Sequence, residues 1–220
     1  MYVMIEGPDR VGKTTLIKNI EKYELSIGVD VTTIREPGQT ELGRNIREMI
    51  MSSPNMSPVS RMFLFLADRA ETFKQFGHLM NKGKQLLVSD RGYISGIAYA
   101  MMDEVAIKYE LEWMNELAMN NTFPDLVILI KATKDTIIER TKEAGAENFF
   151  DEKGVEFMLE VQGLVESNLS GLENTTYVVL EAELSREEIL KRAIKTINYI
   201  DRLMNSGEEI PCGEIIYKEI

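Results

Sequence analysis

The feature that most constrains this chain is a glycine-rich segment at residues 7–14, with the sequence Gly-Pro-Asp-Arg-Val-Gly-Lys-Thr. It fits the pattern Gly-x-x-x-x-Gly-Lys-[Ser/Thr] at every fixed position. An apolar, strand-like run at residues 2–5 precedes it, and a helical pattern at 13–24 follows it. Glycines let the backbone wrap phosphate oxygens closely, and the amides at a helix start point at the anion. A glycine-rich turn that matches by chance is the alternative, but the strand–loop–helix context favours a loop that binds nucleoside triphosphate.

This loop predicts ATP as a ligand and Mg²⁺ as a cofactor. Lys13 is expected to reach the β- and γ-phosphates, and Thr14 to bind the metal ion. The pattern does not define the reaction, because GTPases, motor ATPases and small-molecule kinases share it. A GTPase would be expected to carry Asn-Lys-x-Asp, whereas residues 81–84 are Asn-Lys-Gly-Lys. The predicted ATP-binding residues are Gly7, Pro8, Asp9, Arg10, Val11, Gly12, Lys13, Thr14 and Thr15.

Short apolar runs alternate with longer helical patterns along the chain. In these runs the successive residues are apolar and do not alternate with polar ones. Such runs are typical of strands that are covered on both faces. Strand–helix alternation predicts an α/β fold: three layers, with a five-stranded parallel sheet and helices on both faces. The predicted strands are 2–5, 31–34, 86–89, 126–130 and 177–180, and the predicted helices are 13–24, 41–51, 58–80, 106–121, 135–142, 155–169 and 186–205.

Length and composition predict one compact domain. The chain has 220 residues, which suits a single domain, here expected at 1–206. The tail at 207–220 is predicted to be an extra strand, a partner contact or a loose end. A formal net charge of −11 argues against a nucleic-acid binder, which needs excess Lys and Arg. It does not argue against a mononucleotide, because a few local arginines and backbone amides suffice.

The numbers of Cys and His residues and the lengths of the apolar stretches restrict the possible chemistry and cellular location of the protein. Cys212 and His78 are the only residues of their types, which excludes an intrachain disulfide and a His-rich metal site. Apolar stretches stay short of the roughly 18 residues that a membrane span needs. Met1 leads directly into a strand-like run, so no leader is expected. We expect a cytoplasmic protein without a membrane partner.

Charged residues follow two of the predicted strands. Asp90 and Arg91 end the strand-like run at 86–89, and Arg35 and Glu36 follow the run at 31–34. Ligands in open α/β sheets lie beyond the carboxyl ends of strands. Asp90 is therefore suited to the coordination shell of Mg²⁺, and Arg91 is suited to bridge the donor and acceptor phosphates. A local ion pair and an ordinary strand-to-helix loop are the alternatives.

The predicted helix at 58–80 carries a second candidate surface. Arg61, Phe65 and Arg69 lie at i, i+4 and i+8. An aromatic ring between two guanidiniums offers a stacking surface and planar donors, which a nucleobase needs. The alternative is that Phe65 belongs to the edge of the core and that both arginines are solvated. The predicted core stripe of this helix, on a different face, is Met62, Leu66, Ala70 and Phe73.

Four ordered motifs together resemble the thymidylate kinase family. Residues 6–15 match its Glu-Gly-x-[Asp/Glu]-x-x-Gly-Lys-[Ser/Thr]-Thr loop, and residues 35–47 match Arg-Glu-Pro-Gly-x-Thr-x-x-Gly-x-x-Ile-Arg. Residues 64–69 match Leu-Phe-x-Ala-x-Arg. Residues 90–99 match Asp-Arg-Tyr-x-x-Ser-[Ser/Gly]-x-Ala-[Tyr/Phe] except at the third position. Residues 124–126 are similar to the Pro-Asp-Leu that precedes the fourth strand, so the similarity covers most of the chain.

The resemblance implies roles for individual residues. Phe65 would stack on the thymine ring, and Arg69 would donate hydrogen bonds to the edge of the thymine. Arg47 and Arg91 would hold the acceptor phosphate. Asp9 would contact the sugar or that phosphate. The implied substrate-binding set is Asp9, Glu36, Arg47, Phe65, Arg69, Arg91, Ser95, Gly96 and Tyr99. The implied metal ligands are Thr14 and Asp90, and the implied catalytic residues are Asp9, Arg10, Lys13 and Arg91. A homodimer is also implied, with the helix at 58–80 as a contact.

The sequence departs from the family in two places. Gly92 and Ala100 stand where many bacterial members carry Tyr and Gln, which leaves room for a modified pyrimidine. Members supply a phosphate-clamping arginine either from the phosphate loop or from a small helical lid. The lid is expected at 141–151, which contains Lys142 but no Arg. The expected catalytic arginine is therefore Arg10, with Lys142 as the alternative.

The expected activity is transfer of the γ-phosphoryl group of ATP to dTMP. A kinase for 5-substituted dUMP or for several deoxynucleoside monophosphates is the first alternative. A non-catalytic NTP-binding module and a degenerate homologue retained for interaction are the others. The intact Lys13, Thr14, Asp90 and Arg91 argue against the degenerate homologue.

Overall fold

The computed structural model of the chain describes residues 1–81, 85–144, 153–172 and 175–215. Its sheet is parallel throughout, with strand order β2-β3-β1-β4-β5-β6. The strands are β1 (Tyr2–Glu6), β2 (Asp30–Arg35), β3 (Gln85–Asp90), β4 (Leu126–Lys131), β5 (Thr176–Glu181) and β6 (Gly213–Glu214).

Eight α-helices lie in the described part of the chain. Three begin with a side-chain cap, in which Thr40, Ser57 or Ser185 accepts a hydrogen bond from the backbone N–H three residues later. The helices are α1 (Lys13–Ser26), α2 (Glu41–Ser52), α3 (Pro58–Phe76), α4 (Tyr93–Met102), α5 (Lys108–Ala118), α6 (Lys134–Ala144), α7 (Gly154–Ser170) and α8 (Arg186–Ser206).

The two largest apolar clusters of the core lie on opposite faces of the sheet, and a third, small cluster surrounds Ile46 and Ile50 of α2. Alternate strand residues face opposite sides, so Val3 and Ile128 pack on one face and Met4 and Val127 on the other. Helices α1 and α8 cover the first face, and α4, α5 and α7 cover the second. Because both faces are buried, the central strands are apolar at nearly every position.

The predicted three-layer α/β fold with a parallel sheet is confirmed, with six strands where five were expected. The additional strand comes from the tail: β6 pairs with β5, and Ile215 is buried in the core. The extra-strand alternative for the tail is therefore observed over Gly213–Glu214. Most of the predicted lid at 141–151, namely residues 145–151, lies outside the described residues.

Two helical predictions need correction. The predicted helix at 58–80 ends at Phe76 and continues as a 3₁₀ turn over Gly77–Asn81. Helix α4 was not predicted, because its sequence is apolar almost throughout and lacks the polar face of a surface helix. One side of α4 packs in the core and another borders the cavity described below.

Across the described ranges, no helix combines the length and the apolar character needed to cross a membrane.

Candidate active site

A cavity of about 440 Å³ opens at the carboxyl ends of the central strands. The phosphate loop after β1, the turn after β2 and the Asp-Arg end of β3 all contribute to it, and α2, α3 and α4 complete its wall. Its lining residues are Asp9, Arg10, Gly12, Lys13, Thr14, Thr15, Arg35, Glu36, Pro37, Arg47, Met51, Phe65, Arg69, Asp90, Arg91, Gly92, Ser95, Gly96 and Tyr99.

The phosphate loop depends on unusual backbone angles. Gly7 has φ 140° and Gly12, which caps α1, has φ 105°. A Cβ at Gly7 would collide with the carbonyl oxygen of Ile130 on the neighbouring strand, so only glycine fits there. Arg10 also lies in the left-handed region, with φ 68°. These angles fold the loop around the start of α1, where the free backbone amides of the helix are suited to bind an anion.

Lys13 is buried beneath this loop. Its Nζ donates hydrogen bonds to the carbonyl oxygen of Gly7 at 3.0 Å and to that of Pro8, and it lies 3.8 Å from Asp9 Oδ1. Burial lowers the pKa of Lys13 to about 8. A phosphate in the cavity would supply the negative charge that stabilises the ammonium form.

Thr14 and Asp90 form the pair best suited to a metal ion. Thr14 Oγ1 donates to Asp90 Oδ2 at 3.2 Å, on the cavity side of the loop. Within the described ranges there is no cluster of three or more metal-ligating side chains. Magnesium usually keeps several waters and binds one or two carboxylates together with substrate phosphates. A hydroxyl and a carboxylate beside a phosphate loop fit that requirement.

Arg91 connects three elements of the site. Its Nη2 donates to Asp9 Oδ1 at 2.7 Å and its Nη1 to Ser95 Oγ at 3.0 Å. Glu6, which is fully buried at the end of β1, lies 4.0 Å from Arg91 and accepts hydrogen bonds from Ser95 and from the amide of Gly92. The guanidinium of Arg91 holds the pKa of Asp9 well below its usual range. Arg91 therefore faces the cavity in one orientation.

The far end of the cavity combines aromatic rings with a buried guanidinium. Phe65 and Tyr99 line it, and Tyr99 packs on Phe157 with ring centroids 6.1 Å apart. Arg69 Nε donates to Glu36 Oε2 at 2.7 Å, and both side chains are buried. Burial raises the pKa of Glu36, although Arg69 opposes the effect.

Arg47 enters the cavity from α2. Its Nη1 donates to the carbonyl oxygen of Pro37 at 3.1 Å, and its stem packs on Gly38, where an added Cβ would lie 3.1 Å from Arg47 Cδ. The turn after β2 thus positions a second cation, besides Arg91, on the wall of the cavity.

A second cavity of about 360 Å³ lies on the other side of the phosphate loop. Arg10, Gly12 and Thr15 line both cavities, so the loop separates two adjoining compartments. The remaining lining of the second cavity is largely apolar. It includes Val11 of the phosphate loop, Leu16 of α1, Ile130 of β4, Leu184 after β5 and Ile189 of α8.

Arg140 is a residue of this region that the sequence analysis missed. Its Nη2 donates to the carbonyl oxygen of Ala182 at 2.7 Å and its Nη1 to that of Arg10 at 3.2 Å, and it lines the second cavity. Arg140 lies within α6, one position before the lid predicted at 141–151. The predicted bounds of the lid therefore left out the one arginine of this helix.

The structure brings all nine predicted substrate-binding residues to the lining of the larger cavity. The predicted metal pair and the predicted catalytic residues line it as well. Arg61 does not: it is buried elsewhere and pairs with Asp103 at 3.2 Å. The predicted core stripe of α3 was wrong at Ala70, which is exposed, whereas Asp68 and Thr72 are buried.

A phosphate loop between two adjoining cavities, with arginines on the wall of the larger one, defines a nucleoside monophosphate kinase. The family model described as thymidylate kinase matches residues 5–194, and the chain belongs to the thymidylate kinase family. It is an ATP-binding phosphotransferase. The thymidylate kinase of Campylobacter concisus is 38% identical over 204 residues, covering 90% of this chain and 100% of the relative.

Two further relatives have similar coverage. The thymidylate kinase of Nautilia profundicola is 36% identical over 202 residues, which cover 91% of this chain and 99% of the relative. The thymidylate kinase of Helicobacter hepaticus is 31% identical over 205 residues, which cover 91% of this chain and 100% of the relative.

Proposed function

We propose that this protein transfers the γ-phosphoryl group of ATP to dTMP, giving dTDP and ADP, in the synthesis of dTTP. The observation that carries the proposal is the buried Arg69 beside Phe65, in the same cavity as Lys13 and Arg91. One end of this cavity suits a pyrimidine base and the other suits phosphates. The names of the relatives support the same acceptor.

The base is proposed to stack on Phe65 and to accept a hydrogen bond from Arg69. Aromatic stacking tolerates any base, so selectivity must come from polar contacts to the base edge. Ser95, Gly96 and Tyr99, all on α4, would line the base and sugar pocket. The acceptor phosphate would lie between Arg47 and Arg91, with Asp9 near the sugar or phosphate.

The chemistry requires charge stabilisation and positioning. The acceptor is a phosphate monoester whose second pKa is near ~6, so it is mostly dianionic at neutral pH and needs no general base. The obstacle is the approach of two polyanions in line. Lys13, Arg10 and Arg91 would stabilise the charge that spreads over the transferred group. When bound to Thr14 and Asp90, Mg²⁺ would neutralise charge on the donor phosphates.

One of the two departures from the family pattern lies in the cavity. Gly92 lines it, and a Cβ there would collide with the Met4 side chain, which fills the space behind the glycine. Ala100 instead belongs to the buried cluster on the α4 side of the sheet. Neither departure therefore opens additional space for a modified pyrimidine, which favours dTMP over a broad acceptor range.

The acceptor is tested with a panel of dTMP, dUMP, 5-hydroxymethyl-dUMP, dGMP and dCMP in the presence of ATP and Mg²⁺. We expect dTMP to have the highest kcat/KM, by about tenfold or more over dCMP, because the buried guanidinium only donates hydrogen bonds. Coupled ADP release measures the rates. A higher kcat/KM for 5-hydroxymethyl-dUMP would replace dTMP by that alternative, and ADP release with none of the five would favour a non-catalytic NTP-binding module.

We also propose that the protein is a cytoplasmic homodimer that uses α3 and the adjoining α5. Val59 and Phe63 on α3 are 47% and 56% exposed, and Trp113 and Leu117 on α5 are 58% and 68% exposed. The two helices pack against each other, and we propose that these side chains together form one apolar contact surface. Contiguous exposed apolar surface of this kind marks an interface.

The dimer is tested by light scattering coupled to gel filtration. Wild-type protein is expected at twice the 25.1 kDa of one chain. Phe63→Glu is expected to elute as a monomer, because a charge would be buried unpaired in the interface. Leu25→Glu is the matched control, since Leu25 is 53% exposed on α1, away from this surface. A monomeric wild-type protein would contradict the proposal.

A further inference from the structure

The guanidinium of Arg69 is held from two sides by residues of different elements. Glu36, in the turn after β2, accepts from Nε, and Asn115, on α5, accepts from Nη1 through its Oδ1. The exposed fractions of Arg69, Glu36 and Asn115 are 2%, 5% and 3%. In such a buried position each hydrogen bond to the cation strongly restricts its orientation.

The orientation of the Asn115 amide is itself determined. Its Nδ2 donates to the carbonyl oxygen of Leu111 at 2.6 Å, one turn earlier in α5. The amide therefore turns Oδ1, its acceptor, toward Arg69. Asn115 does not line the cavity, so it acts on the site only through Arg69.

These two contacts leave Nη2 as the unoccupied end of the guanidinium. Nη1 and Nη2 lie 3.1 and 3.3 Å from the position that a Cβ would take at Gly96, a cavity-lining residue. Among the described residues no hydrogen-bond acceptor is found for Nη2. The N–H groups of Nη2 are therefore available at the base end of the cavity.

Glu36 offers a competing arrangement. Its Oε1 is buried and has no hydrogen-bond partner among the described residues. A guanidinium released from Asn115 would lower its free energy by turning Nη2 toward this oxygen, since Arg and carboxylate groups favour two parallel hydrogen bonds. That rotation would withdraw the donors from the cavity.

We propose that Asn115 is a positioning residue that holds Arg69 away from a two-bond pair with Glu36 and so keeps its Nη2 donors facing the acceptor base. The inference rests on the proposed function, because it assumes a pyrimidine mononucleotide in this cavity. A guanidinium has donors only. Correctly held, it favours a base with a 4-oxo group, such as thymine, over one with a 4-amino group, such as cytosine.

The test replaces Asn115 with residues that cannot accept a hydrogen bond. Asn115→Leu and Asn115→Ala are expected to raise the KM for dTMP about tenfold, while kcat stays within about threefold. The preference for dTMP over dCMP is expected to fall about tenfold, because dCMP gains nothing from the donors. Alanine favours helices, so Asn115→Ala keeps the test usable if the leucine variant does not fold.

Two control variants separate positioning from general damage. Asn168 is also a buried helical asparagine, 2% exposed on α7, and it does not line the cavity. Asn168→Leu is expected to leave the dTMP/dCMP preference unchanged. Asn115→Asp retains an acceptor oxygen and is expected to keep the preference within about threefold of wild type. The KM for ATP should be unchanged in all four variants.

Calorimetric measurement of dTMP and dCMP binding without ATP separates the role of Asn115 from the proposed kinase activity. If wild-type protein phosphorylates dTMP but Asn115→Leu or Asn115→Ala keeps the dTMP/dCMP preference, the role of Asn115 is refuted and the proposed function stands. If wild-type protein transfers no phosphoryl group to dTMP, the proposed function fails. The binding preference for dTMP over dCMP in wild type and Asn115→Ala then still decides whether Asn115 positions Arg69.

Discussion

Replacing Arg10 with alanine is expected to lower kcat about 10³-fold, while the KM values for ATP and dTMP stay within about fivefold. Arg10 lines both cavities, so it is the cation best placed to contact a group passing between them. Its Nη1 donates to the carbonyl oxygen of Thr141 at 3.3 Å, near the end of α6. A charge needed mainly in the transition state contributes to turnover more than to ground-state binding.

Two companion variants sharpen this prediction, with steady-state kinetics as the measurement. Arg10→Lys keeps the positive charge but lacks the planar guanidinium group. It is expected to recover part of the turnover that Arg10→Ala loses. Lys142→Ala removes the basic residue of the predicted lid and is expected to retain kcat within about threefold. Near-normal turnover in Arg10→Ala would refute the assignment, and a large loss in Lys142→Ala would transfer the role to Lys142.

Replacing Arg91 with glutamine is expected to reduce kcat/KM for dTMP by at least about 10³-fold and to destabilise the fold. Arg91 is the cation that pairs with Asp9 and lies beside the buried Glu6. Removing Arg91 leaves the buried Glu6 without the guanidinium beside it, and the loss of one partner from a buried ion pair costs about 3 kcal/mol or more. Glutamine has a similarly unbranched stem, so the strain of φ 66° at this position does not change.

Arg61→Gln is the matched control for Arg91→Gln. Like Arg91, Arg61 is an arginine that pairs with a carboxylate, here Asp103, but it is buried and does not line the cavity. Thermal unfolding is expected to show a comparable loss of stability in both variants, whereas kcat/KM should fall only in Arg91→Gln. If the two variants lose equal activity while folded, Arg91 contributes stability rather than phosphate binding.

The phosphate loop and the arrangement of a parallel sheet between two helical layers could be predicted, because each depends on residue types and spacing within short segments of the chain. The glycines at 7 and 12 are required by their backbone angles, and Gly7 is required also by the close approach of the neighbouring strand β4. Both requirements are visible in the sequence as residue identities. Apolar runs without alternation indicate strands covered on both faces. Since the carboxyl ends of parallel strands share one edge, the residues that follow β2 and β3 were expected at the same site.

Of the residues predicted to share a site on α3, Phe65 and Arg69 reach the larger cavity and Arg61 does not, for a geometric reason. Arg61 and Arg69 share a helical face, yet eight residues separate them by about 12 Å along the axis. They therefore meet different neighbours: Arg61 contacts Asp103, and Arg69 contacts Glu36 and Asn115. Periodicity gives the direction in which a side chain points but not which element it reaches.

The sequence alone determined the phosphate loop, the alternation of strands and helices and the family to which the chain belongs, because residue type and spacing encode these features directly. The tertiary structure decided which charges are buried together. It paired Arg69 with an asparagine 46 positions away, placed Arg10 between two cavities and added the tail to the sheet as β6. Such pairings depend on how α5, the turn after β2 and the C-terminal segment pack on the sheet, and no local pattern records that packing.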